Sequence, residues 1–152
     1  MAVTASGLFV ATWVDALDAT QLALDLDAET HRLALFANSI TPDFDAAAAN
    51  AAYGAGVFAA GEVSGTGWAA GGVLLTGTTY TGASGSATFD ASDISVPSTT
   101  LTGARCALIY ADALAGNNAI ALVNFGADYS TNNGVFAITW HPSGIFVVDL
   151  TP

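Results

Sequence analysis

One run of alternating carboxylates in this sequence could bind a metal ion. Asp25, Asp27 and Glu29 alternate in the stretch DLDAE, and side-chain oxygens at this spacing could serve as ligands for Ca²⁺. The stretch has neither the central glycine nor the distal glutamate of an EF-hand loop, so it is more typical of a solvated turn before a strand. Asp43 and Asp45 are interpreted as caps of a short helix that begins after Asp45. The sequence therefore predicts no metal site.

The histidines and serines do not fall into a catalytic pattern. His31 and His141 lie too far apart for an HxxxH-type zinc pair, and we interpret them as a surface strand residue and a turn residue. The stretch GASGS at residues 82–86 has the wrong order for the GxSxG nucleophile elbow. Glycoside hydrolysis would require two carboxylates in one cleft, and nothing selects such a pair. We predict no catalytic residue and expect the protein not to be an enzyme.

Residues 62–76 read EVSGTGWAAGGVLLT, a segment dense in glycine. A phosphate-binding loop requires a lysine followed by Ser or Thr, or a GxGxxG motif that opens a helix after a strand. Gly65 and Gly67 are followed instead by Trp68 and a β-type sequence without lysine. We interpret the glycines as turn and close-packing positions, with Trp68 in the core or at an interface. No nucleotide or other cofactor is predicted.

Charge is scarce and almost entirely negative. Charged residues make up 10% of the chain and hydrophobic residues 53%, whereas an ordinary soluble domain has about 25% charged residues. Arg32 and Arg105 are the two strong cations, and thirteen acids give a net charge of -11. Such a chain repels nucleic acids and anionic membranes, so neither is an expected partner. Because so few charges cannot cover an isolated domain, we expect neighbouring subunits to cover part of the surface.

The apolar runs, the first residues and the single cysteine indicate the cellular compartment and the state of the thiol. No apolar run approaches the ~20 residues that span a bilayer, and the first residues lack the positive n-region of a signal peptide. We therefore expect synthesis and assembly in a cytoplasm. Cys106 is the single cysteine and lies in the apolar stretch ARCALIY, which predicts a buried, inert thiol.

The elements that would position these residues are mainly strands. Residues 7–14 (GLFVATWV) predict a strand, after which Asp15 could cap a short helix that runs through Leu24, with Leu17 and Leu24 on one face. Residues 31–36 predict a strand with Leu33 and Leu35 on one face. Further candidate strands are residues 57–63, 71–76, 80–81, 87–89, 94–96, 105–111, 119–125, 135–140 and 145–150.

The last two candidate strands flank HPSG, which predicts a closing hairpin. Many short strands without a βαβ rhythm indicate an all-β fold. We expect a mainly antiparallel β-sandwich or barrel-like structure with one or two short helices near the N-terminal third. The whole of residues 1–152 is expected to form one domain, with residues 1–14 as an extended interface arm or strand.

Three stretches resemble a family of tailed-bacteriophage structural proteins: EVSGTGWAAGGVLLTG, LTGARCALIYADALAGNNAIALVNFG and NNGVFAITWHPSGIFVV. The upstream DLDAETHRLALFANSITPDFD is similar to the family's polar turn, KVAL-type strand and TPD loop. The resemblance covers roughly residues 22–150. This chain departs from the family pattern at Arg32, where lysine is usual, at Trp68, where tyrosine is common, and at His141 with Pro142.

The resemblance implies a non-enzymatic virion structural protein. We expect a capsid decoration or minor capsid protein that binds the outer shell and stabilises it, since the negative charge suits a surface away from packaged DNA. The expected partners are the major capsid protein or other virion proteins, and the chain itself is expected to form a homo-oligomer in the virion. Phe9, Trp13 and Trp68 are the residues predicted to form the interface.

An alternative function is a tail or fibre module that contacts a host receptor. Aromatic side chains can stack on sugars, as they do in carbohydrate-binding sandwiches. The aromatic residues considered for this role are Trp13, Trp68, Trp140, Tyr53, Tyr80, Tyr110 and Tyr129. Most of them lie in or beside candidate strands, where packing is the usual role.

Overall fold

Nine strands, one α-helix and one 3-10 helix make up the regular structure within residues 2–17, 22–45 and 52–151, the parts of the chain that the computed structural model describes. In chain order they are β1 (Gly7–Leu8), α1 (Val10–Leu17), β2 (His31–Ala37), the 3-10 helix (Gly56–Ala59), β3 (Glu62–Val63), β4 (Val73–Leu74), β5 (Thr79–Ala83), β6 (Ser86–Asp90), β7 (Ile94–Ala111), β8 (Ala119–Ile138) and β9 (Phe146–Asp149). The all-β, mainly antiparallel fold class is confirmed, with α1 near the N-terminus.

Two antiparallel sheets form the sandwich. The larger sheet has the order β1-β8-β7-β2-β3, with β4 also paired to β2. The smaller sheet has the order β5-β6-β9. Strands β3 and β4 pair with the same edge of β2, so the glycine-rich residues between them leave that edge and return to it.

The long hairpin formed by β7 and β8 makes up most of the larger sheet. Its two strands pair from Ile94 with Ile138 to Tyr110 with Ala119, and the register shifts at several points along the way. Ser98, Gly103 and Asn133 have positive φ angles of 55°, 71° and 47°, as expected of β-bulges, which bend and twist a strand without ending it. The candidate strands 94–96 and 105–111 are therefore one strand, and so are 119–125 and most of 135–140.

β2 is buried on both faces. Leu33 and Leu35 point into one apolar cluster, while Ala34 and Phe36 point into a second cluster on the opposite face. The first cluster lies between the two sheets and includes Phe89 of the smaller sheet. The prediction of a strand with Leu33 and Leu35 on one face is confirmed, and the burial of the other face explains the near-continuous apolar run.

The second cluster is covered by segments outside the two sheets. Phe9, which precedes α1, packs against Phe44 and against Phe58 of the 3-10 helix, with ring centroids 5.3 and 5.7 Å apart. Phe36 of β2 contacts Phe58 at 5.1 Å. These edge-on and tilted contacts are the geometry that aromatic side chains prefer in cores. They anchor the N-terminal segment to the larger sheet.

The predicted strand over residues 7–14 is wrong beyond Leu8. Residues 10–17 form α1, so they are not an extended arm, and Asp15 lies within the helix instead of capping it. The N–H of Val10 donates to Phe44 O at 3.1 Å, and the hydroxyl of Thr12 donates to Ala119 O. These tertiary contacts override the β-propensity of the segment.

Within the described residues no helix is long and apolar enough to cross a bilayer.

The predicted closing hairpin is also wrong. HPSG does form a turn, in which Gly144 N donates to His141 O at 2.8 Å and Gly144 has a φ of 93°. The strands on its two sides enter different sheets, because β8 pairs with β7 and β9 pairs with β6. The short helix predicted after Asp45 lies outside the described residues.

Candidate functional site

The three residues predicted to form an interface lie in three different places. Trp68 is 1% exposed and packs in the cluster between the sheets, with its ring centroid 5.4 Å from that of Phe136. Phe9 is also 1% exposed and belongs to the opposite cluster. Trp13, on α1, is half-buried and contacts Phe146 at 5.8 Å. The structure therefore assigns Phe9 and Trp68 to the interior of the protomer and leaves Trp13 beside the surface.

An exposed apolar surface lies around α1. Leu8, Val10, Trp13, Val14 and Leu17 line a shallow depression of about 470 Å³, and we call these five residues the N-terminal apolar surface. Val10, Val14 and Leu17 are 46%, 52% and 82% exposed. Large apolar side chains contiguous at this exposure typically mark a site of association.

Helical spacing creates this surface. Residues 10, 14 and 17 fall on one face of a helix because side chains three and four positions apart are neighbours there. Thr12 is buried and bonded to Ala119 O, so it fixes the opposite face of α1 against the sheet. Sequence reasoning misses this surface because it interprets residues 7–14, with Val10 and Val14, as a strand and assigns Leu17 to a separate short helix that Asp15 caps. Their i, i+4, i+7 spacing was the signal that could have identified them.

The glycine-rich segment is held by a compact polar cluster. Glu62 accepts hydrogen bonds from the Tyr53 hydroxyl at 2.8 Å and from Gly71 N at 2.7 Å. Gly71 O accepts from the Tyr110 hydroxyl at 2.8 Å and from Arg32 Nε at 3.2 Å. The rings of Tyr53 and Tyr110 stack with centroids 4.5 Å apart. These hydrogen bonds hold the glycine-rich segment in place where the chain returns to the edge of β2.

The tyrosines of this cluster are held in the neutral form. Burial, together with the hydrogen bond to Glu62, raises the pKa of Tyr53 to about 12. Burial also raises the pKa of Tyr110. Phenols in this state donate hydrogen bonds and are poor general bases at neutral pH. The arrangement is therefore suited to fixing a loop, which agrees with the interpretation of the glycines as close-packing positions.

The carboxylates considered for calcium form a turn. Asp25 Oδ1 accepts hydrogen bonds from Asp27 N and Ala28 N, each at 3.0 Å, and these bonds lower the pKa of Asp25. Glu29 reaches back to Asp25 N at 3.0 Å. Among the residues that the structure describes, no group of three or more His, Cys, Asp and Glu side chains is placed to hold a metal ion. The solvated turn before β2 is the arrangement that the sequence favoured.

The burial of Cys106 is predicted correctly from the sequence, whereas that of His31 is not. Cys106 is fully buried, and burial raises the pKa of its thiol to about 12, so the predicted buried thiol is confirmed. His31 was predicted at the surface, but it is fully buried. Its Nε2 lies 3.0 Å from Asp25 O, and its ring meets that of Phe89 edge-on. The turn before β2 folds over His31, which local alternation could not show.

His31 should make the fold sensitive to acid. Burial lowers the pKa of His31 below its usual 6.5, so below about pH 6.5 the unfolded chain binds a proton that the folded chain resists. The free energy of unfolding should therefore fall as pH drops from 7.5 to 5, by at most about 1.4 kcal/mol per pH unit for one group. Urea titrations at several pH values would measure this slope.

The matched comparison for this prediction is His31→Gln against His141→Gln. Gln can still donate to Asp25 O, so His31→Gln should flatten the slope without removing the hydrogen bond. His141 is exposed in the turn after β8, and its replacement should leave the slope in place. Equal slopes in the two variants would contradict the role of His31.

A second concave surface lies on β8. Its lining residues are Phe125, Tyr129, Ser130, Thr131, Val135, Phe136, Ala137 and Ile138, around a groove of about 460 Å³ that we call the β8 groove. β1 pairs with β8 only at Leu122 and Ala121, and no described strand pairs with the outer edge from residue 123 to residue 138. Tyr129 is 51% exposed at the groove. Among the described residues, Tyr129 is the one aromatic side chain proposed for sugar binding that is exposed and also lines a groove.

Comparisons with family models, with curated proteins and with solved structures gave no match to this chain.

Proposed function

We propose that this protein is a non-enzymatic structural subunit of a tailed-bacteriophage virion. In this proposal it is a decoration or minor capsid protein that binds the outer face of the shell and stabilises it. The observation that carries the proposal is the N-terminal apolar surface, because Val10, Val14 and Leu17 project from a helix whose other face is fixed to the sheet. Full burial of an exposed side chain of this kind releases about 1.5–3 kcal/mol, and the partly exposed Val10 and Val14 would contribute a share of that range.

The chemistry of the remaining surface supports an assembly role. The chain has 10% charged residues, and Ser, Thr, Gly and Asn are frequent among the exposed residues that the structure describes. A shell presents the same binding site many times, so modest contacts for each copy are sufficient for stable decoration. The resemblance of roughly residues 22–150 to phage structural proteins adds the expected setting. Homo-oligomerisation within the virion stays a prediction.

Incorporation into particles tests the proposal directly. We expect phage that encode the double variant Val14→Gln, Leu17→Gln to contain far less of the protein, since two apolar contacts worth about 3 kcal/mol together are lost at each site. The measurement is copies per particle, by quantitative mass spectrometry of purified virions. Both residues are exposed, so the free energy of unfolding of the purified variant should be nearly unchanged.

The matched control is the double variant Val147→Gln, Leu150→Gln. Val147 and Leu150 are 47% and 67% exposed, which is similar to Val14 and Leu17, but they lie in or beside β9 of the smaller sheet. This variant should be incorporated normally. Normal incorporation of both variants, or loss of both, would reject the N-terminal apolar surface as the binding site.

A second candidate function is a tail or fibre module that contacts a host receptor. The β8 groove favours it, because Phe125 and Tyr129 place aromatic rings at a surface that hydroxyl groups of Ser130 and Thr131 also line. Aromatic faces with neighbouring polar groups suit sugar ligands. The same particle measurement separates the two functions: hundreds of copies indicate the shell, whereas a few to dozens indicate the tail.

A further inference from the structure

We infer that the N-terminal apolar surface binds a cation-rich surface of a different protein and not a second copy of this chain. The inference rests on the proposed function, because it specifies the chemistry of the partner at the same site. Three observations support it. Both arginines are bonded within the protomer, carboxylates lie beside the start of α1, and two copies docked through this surface would repel each other electrostatically.

Both strong cations of the chain are engaged within the protomer. Arg32 donates from Nη2 to Gly72 O at 2.8 Å and from Nε to Gly71 O at 3.2 Å. Arg105 forms an ion pair with Asp128 at 2.6 Å and also donates to Gly126 O. The chain has two Lys and Arg residues in total and a formal charge of -11. No arginine or lysine side chain is therefore free to meet the carboxylates of a second copy.

Carboxylates lie at the margin of the N-terminal apolar surface. Val10 N donates to Phe44 O at 3.1 Å, which places the exposed Asp43 and Asp45 beside the start of α1. Asp15, also on α1, lies about 100° around the helix axis from Val14 and closer to the buried Thr12. Asp43 and Asp45 therefore supply the acidic margin. The surface thus has an apolar centre and an acidic margin. Its complement is an apolar centre surrounded by lysine or arginine side chains.

Self-association through this surface would join like charges. Packed helices lie about 8–10 Å apart, so docking through α1 would bring two protomers, each with a net charge of -11, to a separation comparable to the Debye length of about 8 Å at physiological salt. Like charges at this distance oppose docking, whereas a cationic margin on the partner favours it and accelerates encounter. The charge pattern selects a basic partner over a second copy.

The sign of the salt dependence distinguishes the two partners. Salt screens attraction between opposite charges and weakens binding to a basic partner, but it screens repulsion between like charges and strengthens self-association. The probe is a synthetic amphipathic helical peptide with a leucine stripe and lysine elsewhere, compared with the same peptide carrying glutamate. We expect the protein to bind the lysine peptide, with an affinity that falls between about 50 and 300 mM NaCl because the Debye length shortens as salt is added.

Variants locate the binding on the protein. Val14→Gln should weaken binding of the lysine peptide about tenfold, the equivalent of losing one buried apolar side chain. Val147→Gln should leave binding unchanged. Asp43→Asn with Asp45→Asn should reduce the salt dependence while keeping the side-chain oxygen of residue 43 that accepts from residue 45 N.

Three outcomes would overturn the inference: equal binding of the glutamate peptide, lysine-peptide binding that Val14→Gln does not change, or self-association through Val14 that strengthens with salt in sedimentation experiments. The proposed function has a separate test. If Val14→Gln, Leu17→Gln removes the protein from virions but the lysine peptide does not bind, the virion role stands and the basic partner is rejected.

Discussion

Replacing Gly72 with alanine should cost on the order of 4 kcal/mol or more of the free energy of unfolding, the range reached by the most disruptive single substitutions. A Cβ at Gly72 would overlap the carbonyl oxygen of Leu33, in the middle of β2, and would lie 2.7 Å from the Cα of Ala34. Gly72 also has a φ of 72°, in the region that disfavours other residues. The loop cannot shift easily, because Gly72 O accepts from Arg32.

Gly103→Ala is the control for backbone conformation alone. Gly103 has a φ of 71°, almost the same as Gly72, but a Cβ there would meet nothing within 4 Å. This variant should lose only about 1–2 kcal/mol, the cost of placing a side chain in the left-handed region. Urea denaturation of both proteins gives the comparison. Similar losses in the two variants would show that close packing against β2 is not what requires glycine at position 72.

Trp68→Ala should destabilise the protein by about 3–5 kcal/mol, the usual cost of removing a large buried aromatic side chain. Trp68 is 1% exposed and lies between the sheets against Phe136. Its Nε1 has no hydrogen-bond partner among the described residues, so Trp68→Phe removes no hydrogen bond. We therefore expect Trp68→Phe to retain more than half of the stability that Trp68→Ala loses.

Trp140→Ala is the matched control for Trp68→Ala. Trp140 is half-buried after β8, and its Nε1 donates to Ser92 O at 3.1 Å. Removing it should cost less than removing Trp68, because fewer of its atoms lose contacts in the interior. Thermal and urea unfolding would rank the variants. A larger loss at Trp140 would contradict the placement of Trp68 at the centre of the sandwich.

The Trp68 prediction also bears on the interface predicted from the sequence, which includes Phe9 and Trp68. Because both side chains are inside the protomer, variants at these positions should impair assembly only as far as they impair folding. Variants on the N-terminal apolar surface should do the reverse. Measuring unfolding and particle incorporation on the same set of proteins separates the two kinds of residue.

The local sequence pattern predicts the structure correctly where local preferences and tertiary contacts favour the same conformation. β2 was predicted within one residue of its observed bounds, Cys106 was predicted to be buried, and the glycine-rich segment was interpreted as packing. Each depends on features that persist in any context: apolar side chains must leave water, and glycine alone permits a backbone to approach another closely.

Pairing partners and exposure were not contained in the local pattern. Residues 135–140 and 145–150 both have strand propensity around a turn, yet hydrogen bonds with β7 and β6 place them in separate sheets. Bulges at Ser98 and Gly103 continue β7 through a stretch that resembles a loop. Such choices depend on contacts far apart in the chain, which no short window samples.

The sequence by itself determined the all-β class, the single buried thiol, the scarcity of cations and the excess of carboxylates, because these follow from composition and from the period of apolar residues. Only the tertiary structure decided that residues 10–17 form a helix, since Thr12 and Val10 bond to distant carbonyl groups. That choice turned Val10, Val14 and Leu17 outward. The candidate site is therefore a product of packing, whereas its acidic surroundings were already present in the composition.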